Sequence, residues 1–397
     1  MRIHSLCAAL TLLATVLIGG CTVAPTSEPQ YARPLPSGGV ALRRVTGADV
    51  PNLETAWLAR DQGLTAALKE SKRWYIAPSS RMRFPYRASD REITHAVARA
   101  SVQRFADVLA SSRTADAFRH TMLNEFEAYE SVGWNGEGVV LFTGYYAPEF
   151  PASRTQTGAF QFPIYTRPSD LVTDPRDGHP IGQRLENGSI GRYPTRGELD
   201  DANLLAGSEL AWLQSPLDAY VVHVNGSAKF IMPNGEVMFV GYNGKTDRPY
   251  TGVGSEAVAE GLIAQDGLSL SALYDLYDRN PGAVERLIRR NENFVFFMDY
   301  DGKTWPSGSL GVKVHPRASL ATDKAVYPAG SVCLVDTQGV GDFGGSVPFF
   351  RFMVDQDTGG AIKAPGRADI YMGEGDEAET LAGGQLAEGR LYYFFLK

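Results

Sequence analysis

The chain has 397 residues, 44% hydrophobic and 21% charged, with 42 Gly, 23 Pro and a formal net charge of −7. That length exceeds what one core usually organises and predicts two globular units. The acidic balance, with no run of Lys/Arg to displace counterions, excludes a nucleic-acid partner and favours a neutral or mixed-charge polymer as substrate.

In chain order, Arg2 precedes an apolar stretch over residues 6 to 18. It is too short to span a bilayer as a mature helix and suits the hydrophobic region of a signal peptide, residues 1–20. The stretch ends Ile18-Gly19-Gly20-Cys21, which resembles a bacterial lipobox: small residues admit the peptidase before Cys21, whose thiol takes diacylglycerol. A plain secretory signal with an incidental cysteine is the alternative. Thr22, in place of the Asp that sorting rules associate with retention, favours the periplasmic face of the outer membrane. Residues 21–39 are rich in Pro, Ser and Thr and read as a lipidated tether, so the body begins near residue 40.

Ser89-Asp90-Arg91-Glu92 has the form of a capping box and predicts a helix of about twenty residues, followed by a second carrying Phe118, Met122 and Phe126 and ending near Gly133. After Gly138 the pattern turns to strands: Val139-Val140-Leu141-Phe142 runs into Gly144-Tyr145-Tyr146-Ala147-Pro148, and residues 219 to 224 read as a strand. Pro233-Asn234-Gly235-Glu236 between two apolar runs is a hairpin signal. Helical spacing returns over residues 255 to 290, and from Phe294 onward short β-like runs alternate with Gly/Pro loops. Cys333, in Val332-Cys333-Leu334-Val335, reads as a buried strand thiol. The expected architecture is mainly β with peripheral helices. One barrel domain is built from residues 40–149 and 291–397, with a second β-rich domain, residues 150–290, inserted between.

Zinc, nucleotide and serine-hydrolase signatures are absent: none of the six histidines lies in HExxH, and there is no GxGxxG, Walker motif or GxSxG. Carboxylate chemistry remains. Asp357 and Asp369 flank Gly359-Gly360, each beside a strand-like run that a barrel can bring to one rim, and the paired glycines let a polymer pass close to backbone N–H groups. The alternative is that both are turn-capping aspartates.

The segment Asp357-Thr358-Gly359-Gly360-Ala361-Ile362-Lys363, then Arg367-Ala368-Asp369-Ile370-Tyr371, resembles the C-terminal three-aspartate domain of the membrane-bound lytic murein transglycosylase A family. Ala321-Thr322-Asp323 before Pro328-Ala329-Gly330 resembles that family's first-aspartate stretch. Gly144-Tyr145-Tyr146, Pro163-Ile164-Tyr165, Glu209-Leu210-Ala211-Trp212-Leu213, Gly226-Ser227, Pro249-Tyr250 and Asn293-Phe294-Val295-Phe296-Phe297 resemble its middle domain. The resemblance covers about residues 75 to 397. Two features depart from it: Asn225 stands where members usually carry glutamine, and the spacing from Asp323 to Asp357 implies an inserted loop near residues 337 to 345 at the groove edge.

The resemblance implies a double-psi β-barrel, an inserted second small β-barrel, and the glycan in the cleft between them. It implies cleavage of the β-1,4 bond from N-acetylmuramic acid to N-acetylglucosamine, exo or endo, the muramyl C6 hydroxyl attacking its own anomeric carbon to give a 1,6-anhydro product. Asp369 is then the single catalytic acid and base, which requires its pKa to rise from about 3.9 toward 7. Asp357 and Asp323 are supporting acids, either raising it through like charge or fixing barrel loops through backbone N–H groups. Tyr145, Tyr146, Gly226, Ser227, Gly359 and Gly360 are the candidate substrate contacts, with Trp212 a further groove candidate. No metal or organic cofactor is implied; the implied partners are peptidoglycan glycan strands, the outer membrane through Cys21, and cell-wall synthase complexes. The rival readings are a glycoside hydrolase using water and two carboxylates, and a non-catalytic, expansin-like wall-binding lipoprotein.

Overall fold

A computed structural model describes residues 29–175, 178–341 and 344–397, so the signal segment and Cys21 lie outside the described residues. The end of the expected tether is bound to the body. Tyr31 donates to Glu388 Oε1 (2.9 Å) and meets Trp134 edge-on, and Leu35 rests on the main core. Arg33 adds its guanidinium over the Trp134 ring at 5.9 Å.

Strand β1 (Leu42–Val45) is followed by helices α1 (Gln62–Trp74), α2 (His95–Ser111) and α3 (Ala115–Glu125) and strand β2 (Phe126–Ser131). Asp61, Thr94 and Thr114 cap the helices by accepting from the N–H three residues on. Thr94, not Ser89, starts α2. Ser89 Oγ accepts from the Arg44 N–H (3.0 Å), and Glu92–Ile93 pairs with Tyr86–Arg87, so the expected capping box is a hairpin turn. The helical stripe read on to Gly133 stops at Glu125. Phe126 and Tyr129 fit either period over so short a span, and pairing with strands on both sides decides for β2.

Strand β3 (Val140–Ala147) leads through Pro148 into an inserted unit made of β4 (Glu149–Pro151), β5 (Phe162–Tyr165), β6 (Glu209–Leu213), α4 (Pro216–Asn225), β7 (Ser227–Ile231), β8 (Val237–Lys245), α5 (Leu270–Arg279), α6 (Pro281–Arg290) and β9 (Val295–Tyr300). Strands β4-β7-β8-β9 form one sheet and β5-β6 a pair. Isolated bridges, Ser153↔Trp212 and Thr166↔Phe297, join that pair to the two edges of the sheet. Ile164, Leu213, Phe230, Met238, Val240 and Phe297 fill the ring so made. The expected strand at residues 219 to 224 is helix α4, because Ser215 caps it, Pro216 opens it and Gly226 closes it in the left-handed region at φ 70°. Those end signals outweigh its valines. The insert also reaches further than residue 290: β9 pairs with β8. The run at Phe294 reads as a strand in either domain, and its partner is not written in its own residues.

The remaining strands are β10 (Ser319–Thr322), β11 (Val332–Val340), β12 (Ser346–Asp357), β13 (Arg367–Glu374) and β14 (Leu386–Leu396), with α7 (Gly375–Gly384) before the last. The order β14-β11-β12-β10-β13-β3 returns to β14, so strands from both sides of the insert close one ring. The second half of β14 pairs with β2, and β2 with β1. Helices α1 to α3 cover the ring: Phe105 and Phe118 lie edge-on to Phe352 at 4.9 and 5.6 Å. Burial of each ring stabilises by about 1.5–3 kcal/mol. Cys333 is fully buried in β11. Residues 337 to 340, expected to open a loop at the groove edge, extend a hairpin instead, in unbroken register from Val332↔Val354 to Val340↔Ser346; pairing satisfies their backbone groups as a loop would not.

Candidate active site

Alternation along β13 sends Ala368 and Ile370, both fully buried, into the core, and Arg367, Asp369 and Tyr371 to the other face. The Cα partners of Asp369 are Ala321 on β10 and Thr143 on β3, and Ala321 is in turn partnered by Asp357 on β12. One row across the sheet therefore reads Asp357, Ala321, Asp369, Thr143. Two strand spacings separate the aspartate backbones, about 10 Å.

Asp369 retains 16% side-chain exposure. Its Oδ1 accepts from the Thr143 hydroxyl and, at 3.3 Å, from Arg367 Nη2, which also donates to Thr143 Oγ1 at 2.9 Å. Burial raises the Asp369 carboxyl above the ordinary value, and the Arg367 charge, then the Thr143 hydroxyl, pull it back. The upward push is desolvation; neighbouring carboxylates are not its cause.

Asp357 is spoken for by the backbone. Its Oδ1 accepts from the N–H groups of Ser309 (2.7 Å) and Thr358 (2.8 Å). Burial raises this carboxyl and those two donors lower it. Gly308 permits the approach, since a Cβ there would lie 2.8 Å from Gln356 O and 3.2 Å from Asp357 Cγ. Asp323 ties two loops, accepting from Ala325 N–H (2.9 Å) and Ala364 N–H (2.7 Å). A fourth aspartate lies beneath: Asp355, fully buried, pairs with Lys324 and accepts from Thr322 Oγ1 and Tyr393 Oη, each at 2.8 Å.

The aromatic candidates separate. The Tyr145 hydroxyl is buried beside Asp357, near enough to couple with its charge but without good hydrogen-bond geometry. Its ring lies 5.2 Å from that of Tyr371, whose hydroxyl is also buried and has no hydrogen-bond partner among the described residues. Tyr146, one residue on and therefore on the opposite face, is 7% exposed and donates to Glu379 of α7 (2.8 Å), so it does not line the groove. Gly226 and Ser227 sit at the junction of α4 and β7, outside the aspartate row. Trp212 lies on β6. Gly359 and Gly360 follow β12, and a Cβ at Gly360 would meet open space. Asn225 Nδ2 donates to Val221 O within its own helix (2.9 Å).

Across from the row, the insert presents Tyr250, whose hydroxyl lies within electrostatic reach of Arg367 and 3.5 Å from that of Tyr220. Lys245 on β8 likewise senses Lys363 in the loop before β13. Tyr250 and Lys245 thus bring the insert within electrostatic reach of β13 and the loop before it. Sequence reading missed Thr143, Arg367 and Tyr250 as site residues. Arg367 was findable, because it is two residues from Asp369 on a strand; Thr143 and Tyr250 depend on register and domain placement.

The model of the MltA specific insert domain matches residues 141–298, and that of the 3D domain residues 318–395. Membrane-bound lytic murein transglycosylase A of Escherichia coli (strain K12) is 31% identical over 271 residues, 67% of this chain and 68% of its own length. Its counterpart in Vibrio cholerae is 28% identical over 272 residues, with the same two shares. Among solved structures, a membrane-bound lytic murein transglycosylase from Agrobacterium tumefaciens superposes with TM-score 0.73 at 24% identity, over 90% of this chain and 98% of that one. Escherichia coli MltA with bound chitohexaose gives 0.64 at 24% identity, over 93% and 96%. These likenesses share the mainly β fold with its helices.

Proposed function

The chain belongs to the membrane-bound lytic murein transglycosylase A family, and from that membership we propose that it is a lytic transglycosylase of peptidoglycan with Asp369 as its acid and base. The observation that carries the assignment is the unequal state of the three aspartates. Burial makes both Asp357 and Asp369 easier to protonate, but Asp357 and Asp323 spend oxygens on backbone N–H groups, whereas among the described residues Asp369 accepts only from the side chains of Thr143 and Arg367.

Protonated Asp369 gives its proton to the glycosidic oxygen as the bond from muramyl C1 breaks. The muramyl C6 hydroxyl closes on C1, and its proton returns to the carboxylate. Charge and protons balance within one turnover, no water enters, and the product ends in a 1,6-anhydro ring. An inverting hydrolase would need a second carboxylate to activate water. Digestion of purified sacculi by the enzyme, followed by mass spectrometry, tests the reading: anhydro ends, lighter by one water than reducing ends, are expected. Reducing ends would identify the hydrolase, and pelleting with sacculi without soluble fragments the wall-binding lipoprotein.

On the same reading the ring of six strands is a double-psi barrel formed by residues 40–149 and about 301–397, and the insert is a second small barrel completing the cleft. The lipid anchor at Cys21, on the periplasmic face of the outer membrane, and an association with cell-wall synthases belong to this proposal as well. Released, unlipidated protein from Cys21→Ser supports the anchor.

A further inference from the structure

Asp369 is held from one side. The Thr143 hydroxyl and Arg367 Nη2 both donate to Oδ1, and no hydrogen bond among the described residues falls on Oδ2. The hydroxyl has no freedom to turn away. Thr143 Oγ1 accepts from Arg367 Nη2 at 2.9 Å, so its own proton must point elsewhere, and Oδ1 of Asp369 is the acceptor in place. Strand alternation sets Arg367 and Asp369 on one face, and the β3 register sets Thr143 beside them. The Arg367 side chain is 23% exposed, and its Nε is buried without a partner among the described residues.

We propose that Arg367 is a positioning residue of the reaction: by locking the Thr143 hydroxyl and Oδ1 of Asp369 into one frame, it leaves Oδ2 as the oxygen that gives and takes the proton. The inference rests on the reading of Asp369 as acid and base. It adds a division of labour between the two carboxylate oxygens and a residue that enforces it. Both bonds come from Nη2, whose two N–H directions are fixed by the guanidinium plane as the rotating donors of an ammonium are not.

The groups that face Asp369 are Arg367 on its own strand, Thr143 and Tyr145 on β3, and Ala321 on β10, with Asp357 one strand further and Tyr250 on the insert opposite Arg367. Arg367 is the cation among them and holds the Asp369 carboxyl down. Since the reaction begins with Asp369 protonated, kcat/KM falls as pH rises through the pKa of Asp369. Removing Arg367 raises that pKa and moves the falling limb to higher pH, while the plateau rate drops.

The test uses soluble glycan oligomers of defined length, with Asp369→Asn, Arg367→Met, Arg367→Lys, Thr143→Val and Thr143→Ser measured across pH. Expected are a loss in kcat of about 10²-fold for Arg367→Met and Thr143→Val, as for misplacement by about 1 Å. KM should change little, the falling limb should shift upward, and Arg367→Lys and Thr143→Ser should recover part of the rate. Wild-type kcat in Arg367→Met, a change confined to KM, or a rate loss with an unmoved limb would each overturn the proposal. Should Arg367→Met fail to fold, the Thr143 pair carries the same readings. Activity in Asp369→Asn would instead sink the acid–base assignment itself, which separates the two failures.

Discussion

At Asp369, burial and an adjacent cation pull the carboxyl in opposite directions, and burial prevails. Because its folded pKa lies above its unfolded value, the ionised side chain costs stability at neutral pH, and that cost fades as pH falls through the folded value. Asp369→Asn should therefore melt higher than wild type at neutral pH, with the advantage vanishing in acid, while solubilisation of sacculi falls by about 10⁴-fold or more. A variant that melts lower at neutral pH would show that the ionised group is stabilised in the fold. The Lys324–Asp355 pair behaves differently. Both partners are buried, and Lys324→Met would leave a carboxylate with only hydroxyl donors. A loss of about 3–5 kcal/mol in denaturant unfolding is expected. Asp355 lies in the segment that held attention for Asp357, two residues away, yet nothing in the local pattern says that one faces the core and the other the loop at Ser309.

Element by element, what could be read depended on whether the deciding interaction was local. The turn at Pro233-Asn234-Gly235-Glu236 carries its own hairpin geometry, and β7 and β8 flank it in register. Helix α6 has its cap, its stripe and its proline within ten residues. By contrast, β2 fits the tail of a helix by its own residues, because its identity comes from β1 and β14, both distant in sequence. The valines of α4 favour a strand, and the Ser-Pro start and glycine stop decide for the helix. The loop that carries Ser309 to Asp357 belongs with these non-local features, and it approaches β12 closely at Gly308. Gly308→Val should force that loop off Asp357, costing about 1–3 kcal/mol by overpacking and lowering activity, with Asp369 chemically intact. Unchanged melting and rate would mean that the loop gives way freely.

For the whole molecule, length predicts two units, and the strand-like runs on either side of residues 150–290 predict one barrel built from both ends of the chain; which strands close each ring is set by register, which periodicity alone does not reveal. Entry and exit of the insert lie together, since Ala147 and Trp305 pack in one cluster with Tyr371. The docking of Tyr31 on Glu388 and Trp134 sets a length scale for the enzyme at work. Its carbonyl also crowds Gly366, the residue before Arg367, so the leash meets the body beside the catalytic strand. With Cys21 lipidated as proposed, about ten residues lie between the acyl chains and that point, a reach of at most about 35 Å when fully extended. The cleft would then graze only the layer of wall nearest the bilayer. Lengthening residues 22 to 30 with a flexible Gly/Ser segment should let the anchored enzyme digest sacculus held further off, and shortening them should silence it there, while an unlipidated form lacking residues 1–21 digests alike with any leash. Equal digestion by short- and long-leashed anchored forms would show that the membrane sets no working distance.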